Sequence, residues 1–252
     1  MRYVVSLKPL RKVTLFLTGA HFMRNIFVNF YLFNFILLLV IPLPALAIPT
    51  ITCHCFTDRS FNPAQPALAD PYFLATTQNS FFATLFNVDK KTIVMKKQQG
   101  TSSDDLWVAY WVASRATVSV ESLLQSKEAK EAWPEVIASL RIPSKKLGSR
   151  FASALNSKTS TARLAEAVVD ELFLRYRLLT DAELAAMRKA GASNQELIIT
   201  TLIAGRIRQP ARQIFAEVKN GAKTWGSLLE GARINTKNMQ QEITATLKLQ
   251  PL

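Results

Sequence analysis

Histidine and cysteine are nearly missing from this chain of 252 residues, which holds two of each. Past residue 47 only His54 remains, flanked by Cys53 and Cys55. A single histidine cannot supply the two-histidine helix of a zinc protease, and no Cys-x-x-Cys-His run is present to attach haem. A Ser-His-Asp triad would have to draw its base from the irregular stretch around His54, and no Gly-x-Ser-x-Gly elbow exists. Glycine is scarce as well, at 8 residues. Gly221-Ala222-Lys223-Thr224 ends like a phosphate loop, but it lacks the glycine before the lysine and the earlier glycine that such a loop needs, so no nucleotide is expected. No catalytic residue stands out, and the chain reads as a non-enzymatic protein.

Acidic residues are the other shortage, 18 against 31 basic ones. Residues 1–47 contribute five of the basic residues (Arg2, Lys8, Arg11, Lys12, Arg24) and no acid. The run Ile26 to Ile41 is almost wholly apolar and is followed by Pro44-Ala45-Leu46-Ala47, with the small residues a signal peptidase requires. A secretory signal over 1–47 is therefore expected, with cleavage between Ala47 and Ile48 and residence in the periplasm or outside the cell. Met23-Arg24-Asn25 makes an equally good signal-peptide start, so Met23 is the expected initiator. An uncleaved anchor is the alternative, but the apolar run falls short of the roughly 20 residues a spanning helix needs.

Past residue 47 the balance is 26 basic to 18 acidic residues, a net charge of +8. That excess fits anionic partners: lipid headgroups, an acidic envelope polymer or nucleic acid. Arg141, Lys145, Lys146, Arg150, Lys158, Arg163, Arg175 and Arg177 are nonetheless interleaved with apolar positions, as on solvated helix faces. Glu171 and Arg175, four apart, fit an ordinary surface pair.

The mature chain divides by pattern. Residues 48–69 are polar and Pro-rich without periodicity, an extended arm. Residues 70–103 hold an aromatic helix, started by Asp70-Pro71 with Asp70 as its cap and running to about Asn87, and then a connector. Thr92-Ile93-Val94-Met95 has strand composition but no strand partner, and so belongs to the connector. Residues 104–252 form a helical region punctuated by Thr180-x-x-Glu183 and Ser193-x-x-Glu196 capping boxes, by Gly191 and Gly221 at helix ends, and by Pro143 and Pro210 at breaks. Its longest helix is expected over Thr161 to Leu179.

Within that region, Leu106 to Ile142 returns without a gap as Ile198 to Ile234, a shift of 92 that pairs Trp133 with Trp225, Arg141 with Arg233 and Leu123 with Phe215. Shifts near 31 and 61 relate shorter pieces, which implies a helix-turn-helix unit of roughly 30 residues. The expected fold is all-α, built of short helices in a solenoid-like stack or an irregular helical bundle behind an irregular N-terminal arm. Trp133 and Trp225, each ahead of a short helix, read as staples.

Two constellations carry possible chemistry. Cys53-His54-Cys55 in an exported protein points to a structural disulfide, a strained redox-active one, or soft ligands for copper or zinc. The stripe Trp107, Tyr110, Trp111 has the spacing of a buried helix face, with a ligand-stacking surface as the alternative. Three functions follow: an exported helical protein that binds an unidentified protein or envelope component, a thiol-redox or metal protein acting through Cys53, His54 and Cys55, and a basic binder of anionic polymer or nucleic acid.

Overall fold

The computed structural model describes residues 60–130 and 132–248. Residues 1–47 with Ala45 and Ala47, Ile48 and the Cys53-His54-Cys55 run lie outside the described residues. The protein is all-α: among the described residues there are helices and no strand. In chain order they are α1 (Asp70–Phe86), α2 (Lys90–Gln98), α3 (Ser103–Ala113), α4 (Val120–Lys130), α5 (Trp133–Ser139), α6 (Ser144–Leu147), α7 (Ser149–Asn156), α8 (Thr161–Arg175), α9 (Asp181–Lys189), α10 (Asn194–Ile207), α11 (Ala211–Lys219), α12 (Trp225–Gly231) and α13 (Met239–Lys248). No helix among the described residues is long and apolar enough to cross a membrane.

Local signals set most of the boundaries. Thr180 with Glu183 and Ser193 with Glu196 form complete capping boxes at the starts of α9 and α10, each hydroxyl and carboxylate satisfying the other's free amide. Gly100 and Gly191 take left-handed conformations (φ 100° and 84°) where α2 and α9 give way to the next helix, a backbone state that costs glycine little.

Four expectations are corrected. Thr92 to Met95 is helical, not a connector: Asp89 accepts a hydrogen bond from the amide of Lys91 at 2.8 Å and starts α2, whose Ile93 and Val94 are buried. Asp70 does not cap its own helix, where Ala69 holds the cap position. Its two carboxylate oxygens instead accept from the amides of Trp225 (3.0 Å) and Gly226 (2.8 Å), capping α12 across 155 residues of chain. Trp133 and Trp225 are not staples ahead of helices but the first helical residues of α5 and α12, both buried. The longest helix is α1 with 17 residues, ahead of α8 with 15.

The helices recur. The caps Asp89 and Thr180 stand 91 residues apart, as do Ser102 and Ser193, and Gly100 and Gly191. Trp133 and Trp225 open α5 and α12 at an offset of 92, and Arg141 and Arg233 follow with φ of 52° and 58°. Buried positions keep step: Phe73 with Leu164, Phe82 with Phe173, Leu123 with Ile214, Leu147 with Met239, and Phe151 with Ile243. The match therefore extends beyond the window read from sequence, pairing α1 with α8 and α2 with α9. The partner of Leu123 is Ile214, because α12 starts 14 residues after the start of α11 whereas α5 starts 13 after the start of α4, so the extra residue falls after this pair. These recurrences follow the long shift and say nothing of the 30-residue step.

Packing makes the two copies interdependent. In the first, α3 and α7 pack on α8; in the second, their counterparts α10 and α13 pack on α1. Each copy's first helix thus completes the other copy's bundle, and α1 and α8 meet through Phe81 and Phe173, ring centres 5.9 Å apart. A linear solenoid contacts only neighbours along the chain, whereas here the first described helix packs on the last. The shared core contains Phe81, Phe82, Trp107, Trp111, Leu123, Leu172, Phe215 and Trp225, all buried. In the stripe read from sequence, Trp107 and Trp111 face this core and Tyr110 is half-buried, stacked edge-on against Phe82 at 4.9 Å.

Candidate functional site

Most charged side chains are engaged in holding the helices. Arg188 donates to Asp170 at 2.8 and 3.0 Å, to the carbonyl of Ala192 and to Asn194, tying the loop before α10 to α8. Burial raises the pKa of Asp170 even though Arg188 and Arg150 pull it down. Glu166 pairs with Arg163, and Asp105 accepts from Ser102 and from the indole of Trp133 at 2.8 Å. Asp105, Glu166 and Asp170 are thus engaged in contacts that hold the fold. Among the described residues no three His, Cys, Asp or Glu side chains gather into a metal-holding group.

One place differs. The C-terminal ends of α3 and α8, with α6 beside them, frame a cavity of about 720 Å³ lined by Arg115, Lys146 and Arg175. Its position follows from Trp111. The buried ring donates its Nε1–H to the carbonyl of Leu147 at 2.9 Å, which fixes α6 against α3 and holds Lys146 on the rim. The Trp111 carbonyl accepts from Ser114 Oγ at 2.7 Å and from Arg115 Nη1 at 3.1 Å, so side chains take over the acceptor near the end of α3. Arg115 then folds back, its guanidinium carbon 3.0 Å from the centre of the Trp111 ring, a cation–π contact.

The expected Glu171–Arg175 pair does not form. Glu171 turns to the start of α7 and accepts from the amide of Arg150 at 2.5 Å. Gly148 permits the approach, since a Cβ there would lie 2.5 Å from the carboxylate carbon. A free helix-start amide outcompetes an exposed arginine for this carboxylate. Arg175 is left on the cavity, within electrostatic reach of Arg115. Partial burial, and then the charge of Arg175, depress the Arg115 pKa to about 10, so its charge persists at neutral pH. None of Arg115, Lys146 and Arg175 forms a salt bridge with an acid among the described residues. Against their three charges stand Glu171 and the carbonyl ends of α3 and α8, each equivalent to about half a negative charge. The arrangement carries an excess of positive charge and is built from hydrogen-bond donors over an apolar wall of Phe86 and Leu172.

Lys146 and Arg175 read from sequence as solvated, and Arg115 gave no signal there. The three belong to segments that only the packing of α8 against α3 brings together. In comparisons with known protein families, curated proteins and solved structures, nothing matches this chain.

Proposed function

We propose that this protein is an exported, non-catalytic helical binding protein that captures an anionic component of the cell envelope in the cavity of Arg115, Lys146 and Arg175. The observation that carries the reading is the convergence on one open cavity of three cations that form no salt bridge among the described residues, whereas Arg163 and Arg188 are each paired with an acid. Like charges repel across the empty site, where Arg115 is half-buried and Lys146 and Arg175 are exposed, and an oxyanion relieves that repulsion. The cavity volume lies in the range of small-ligand sites, and its polar groups are suited to orient a ligand rather than to move protons. Export rests on the leader's composition alone, and the Cys53-His54-Cys55 arm enters this reading only as a structural disulfide.

Calorimetric titration of the purified protein with citrate, sulfate and phosphate tests the site. At low salt all three should bind, weakening on going to physiological salt. The double variant Lys146→Ala/Arg175→Ala should bind each at least about tenfold more weakly, the loss of roughly 1.4 kcal/mol expected for two charge contacts. Absence of heat or saturation with every anion at millimolar concentration would remove the reading. N-terminal sequencing of the exported protein should begin at Ile48.

A further inference from the structure

The hydrogen bonds of Arg115 narrow the ligand further, on the basis of the anion-binding reading above. A guanidinium has five N–H donors in one plane. Here Nη1 is engaged twice, with the Trp111 carbonyl and with Ser114 Oγ, and the plane is pinned on the Trp111 ring. Among the described residues nothing accepts from Nε or Nη2. The unused edge is the side-on fork, two parallel N–H groups matched to two oxygens of one oxyanion. Packing and two hydrogen bonds hold it in place before any ligand arrives, so little side-chain entropy is lost on binding.

We infer that this fork clamps a terminal phosphate group, a phosphomonoester, with Arg175 and Lys146 meeting the oxygens that the fork leaves over. A carboxylate has two oxygens and the fork takes both, leaving two cations of the same cavity unserved. A tetrahedral phosphate presents a third oxygen to them and carries up to two negative charges against the local excess. The phosphate fills only a small part of about 720 Å³, so the group it is attached to lies in the cavity too, against Phe86 and Leu172.

The test uses the full exported protein, titrated calorimetrically with inorganic phosphate, phenyl phosphate, phenyl sulfate and benzoate. Phenyl phosphate should bind at least tenfold more tightly than benzoate and more tightly than inorganic phosphate. Its affinity should rise with pH through about 6, where the second proton leaves, while that of phenyl sulfate stays level. Arg115→Lys keeps the charge and removes the fork. It should weaken phenyl phosphate tenfold or more, with an unchanged thermal midpoint showing that it folds. Arg175→Lys, away from the Trp111 ring, should weaken phenyl phosphate less and serves if Arg115→Lys unfolds.

Vesicles of phosphatidylcholine with and without phosphatidic acid separate a lipid source from a soluble one, since cosedimentation only with phosphatidic acid assigns the phosphate to a lipid headgroup. Benzoate binding as well as phenyl phosphate would overturn the phosphate assignment. Wild-type affinity in Arg115→Lys would overturn the fork, and in both cases the broader anion-binding reading stands. If no anion of either titration series binds, both fall together.

Discussion

The surroundings of Trp111 in the first copy can be set against those of Leu202, its equivalent in the second, and the two have opposite characters. The cavity in the first measures about 720 Å³ and carries Arg115, Lys146 and Arg175. Beside Leu202 lies a void of about 10 Å³ walled by Phe81, Ile198, Leu202 and Ile243, of which Phe81 and Leu202 correspond to Leu172 and Trp111 of the first. At the offsets that align the helices, Thr84, Asn238 and Arg206 stand where the first copy has Arg175, Lys146 and Arg115. The one remaining cation is held elsewhere, Arg206 donating to the carbonyl of Ala232 at 3.4 Å and lying 4.0 Å from Glu242.

Helix length accounts for part of the difference. Helix α10 runs through Arg206 to Ile207, whereas α3 stops at Ala113, so Arg115 lies past the helix end and can fold back on Trp111. One scaffold thus gathers three cations on a cavity in one copy and keeps a single, engaged cation at the equivalent positions of the other. A fold can be repeated without repeating its site, because a few side chains at helix ends decide whether the space is filled.

The harshest way to break the comparison is to take away the exchanged helix. A chain beginning at Asp89 lacks α1, on which α10, α12 and α13 pack, and should lose cooperative unfolding by circular dichroism. The same helix joined after Lys248 through a short linker should restore it, since α1 and α13 are neighbours. A deletion that still melts cooperatively would show the copies to be independent.

Next come the paired positions Trp111 and Leu202. Trp111→Ala should cost about 3 to 5 kcal/mol in urea denaturation and abolish anion binding, because the ring holds both Leu147 and Arg115. Leu202→Ala should cost about 2 to 3 kcal/mol and leave anion binding in place. Equal effects on binding would deny the asymmetry.

Smaller again is the cap that crosses between copies. Asp70→Ala removes both acceptors at the start of α12 and should cost about 1 to 2 kcal/mol. Thr161→Ala, at the equivalent position in α8, should stay within about 0.5 kcal/mol. Denaturant midpoints decide whether the crossing is one-sided.

The capping boxes add a pH signature. Hydrogen bonds from the Thr180 hydroxyl and then the Thr180 amide hold the Glu183 carboxyl below its ordinary range. A depressed folded pKa means that the unfolded chain binds protons first as pH falls. The contribution is therefore complete above the unfolded value and is lost as pH drops through the folded one. Glu183→Gln should cost about 0.5 to 1 kcal/mol at pH 7 and flatten stability below pH 4.5. The counterpart helix α2, capped by Asp89 with Thr92 at the third position, has no such box to lose.

Smallest is Thr200→Val. The Thr200 hydroxyl is buried without a hydrogen-bond partner among the described residues, and the first copy has Ala109 at its place. Replacing the hydroxyl by a methyl should be neutral or stabilise by up to about 1 kcal/mol. A clear loss in thermal melts would reveal a partner for the hydroxyl.

Much of the helical framework was legible because its causes are local. Capping boxes at Thr180 and Ser193, glycines at 191 and 221 and aromatic spacing in α1 and α3 act within a turn or two of chain. Thr92 to Met95 misled because β-branched residues suit strands on average, while the Asp89 cap and the burial of Ile93 and Val94 favour a helix here. The site was illegible for another reason. Arg175 looked paired to Glu171 by spacing, and nothing near either residue discloses that the amide at the start of α7 takes Glu171 away.

The sequence by itself determined the fold class, most helix ends and the existence of a recurrence, since periodicity and caps are set by neighbours along the chain. The tertiary structure alone decided that the copies exchange their first helices, that Asp70 caps a helix 155 residues away, and that three scattered cations share one cavity. Those outcomes depend on which apolar faces find each other in space, and the energy of burying them is non-directional along the sequence.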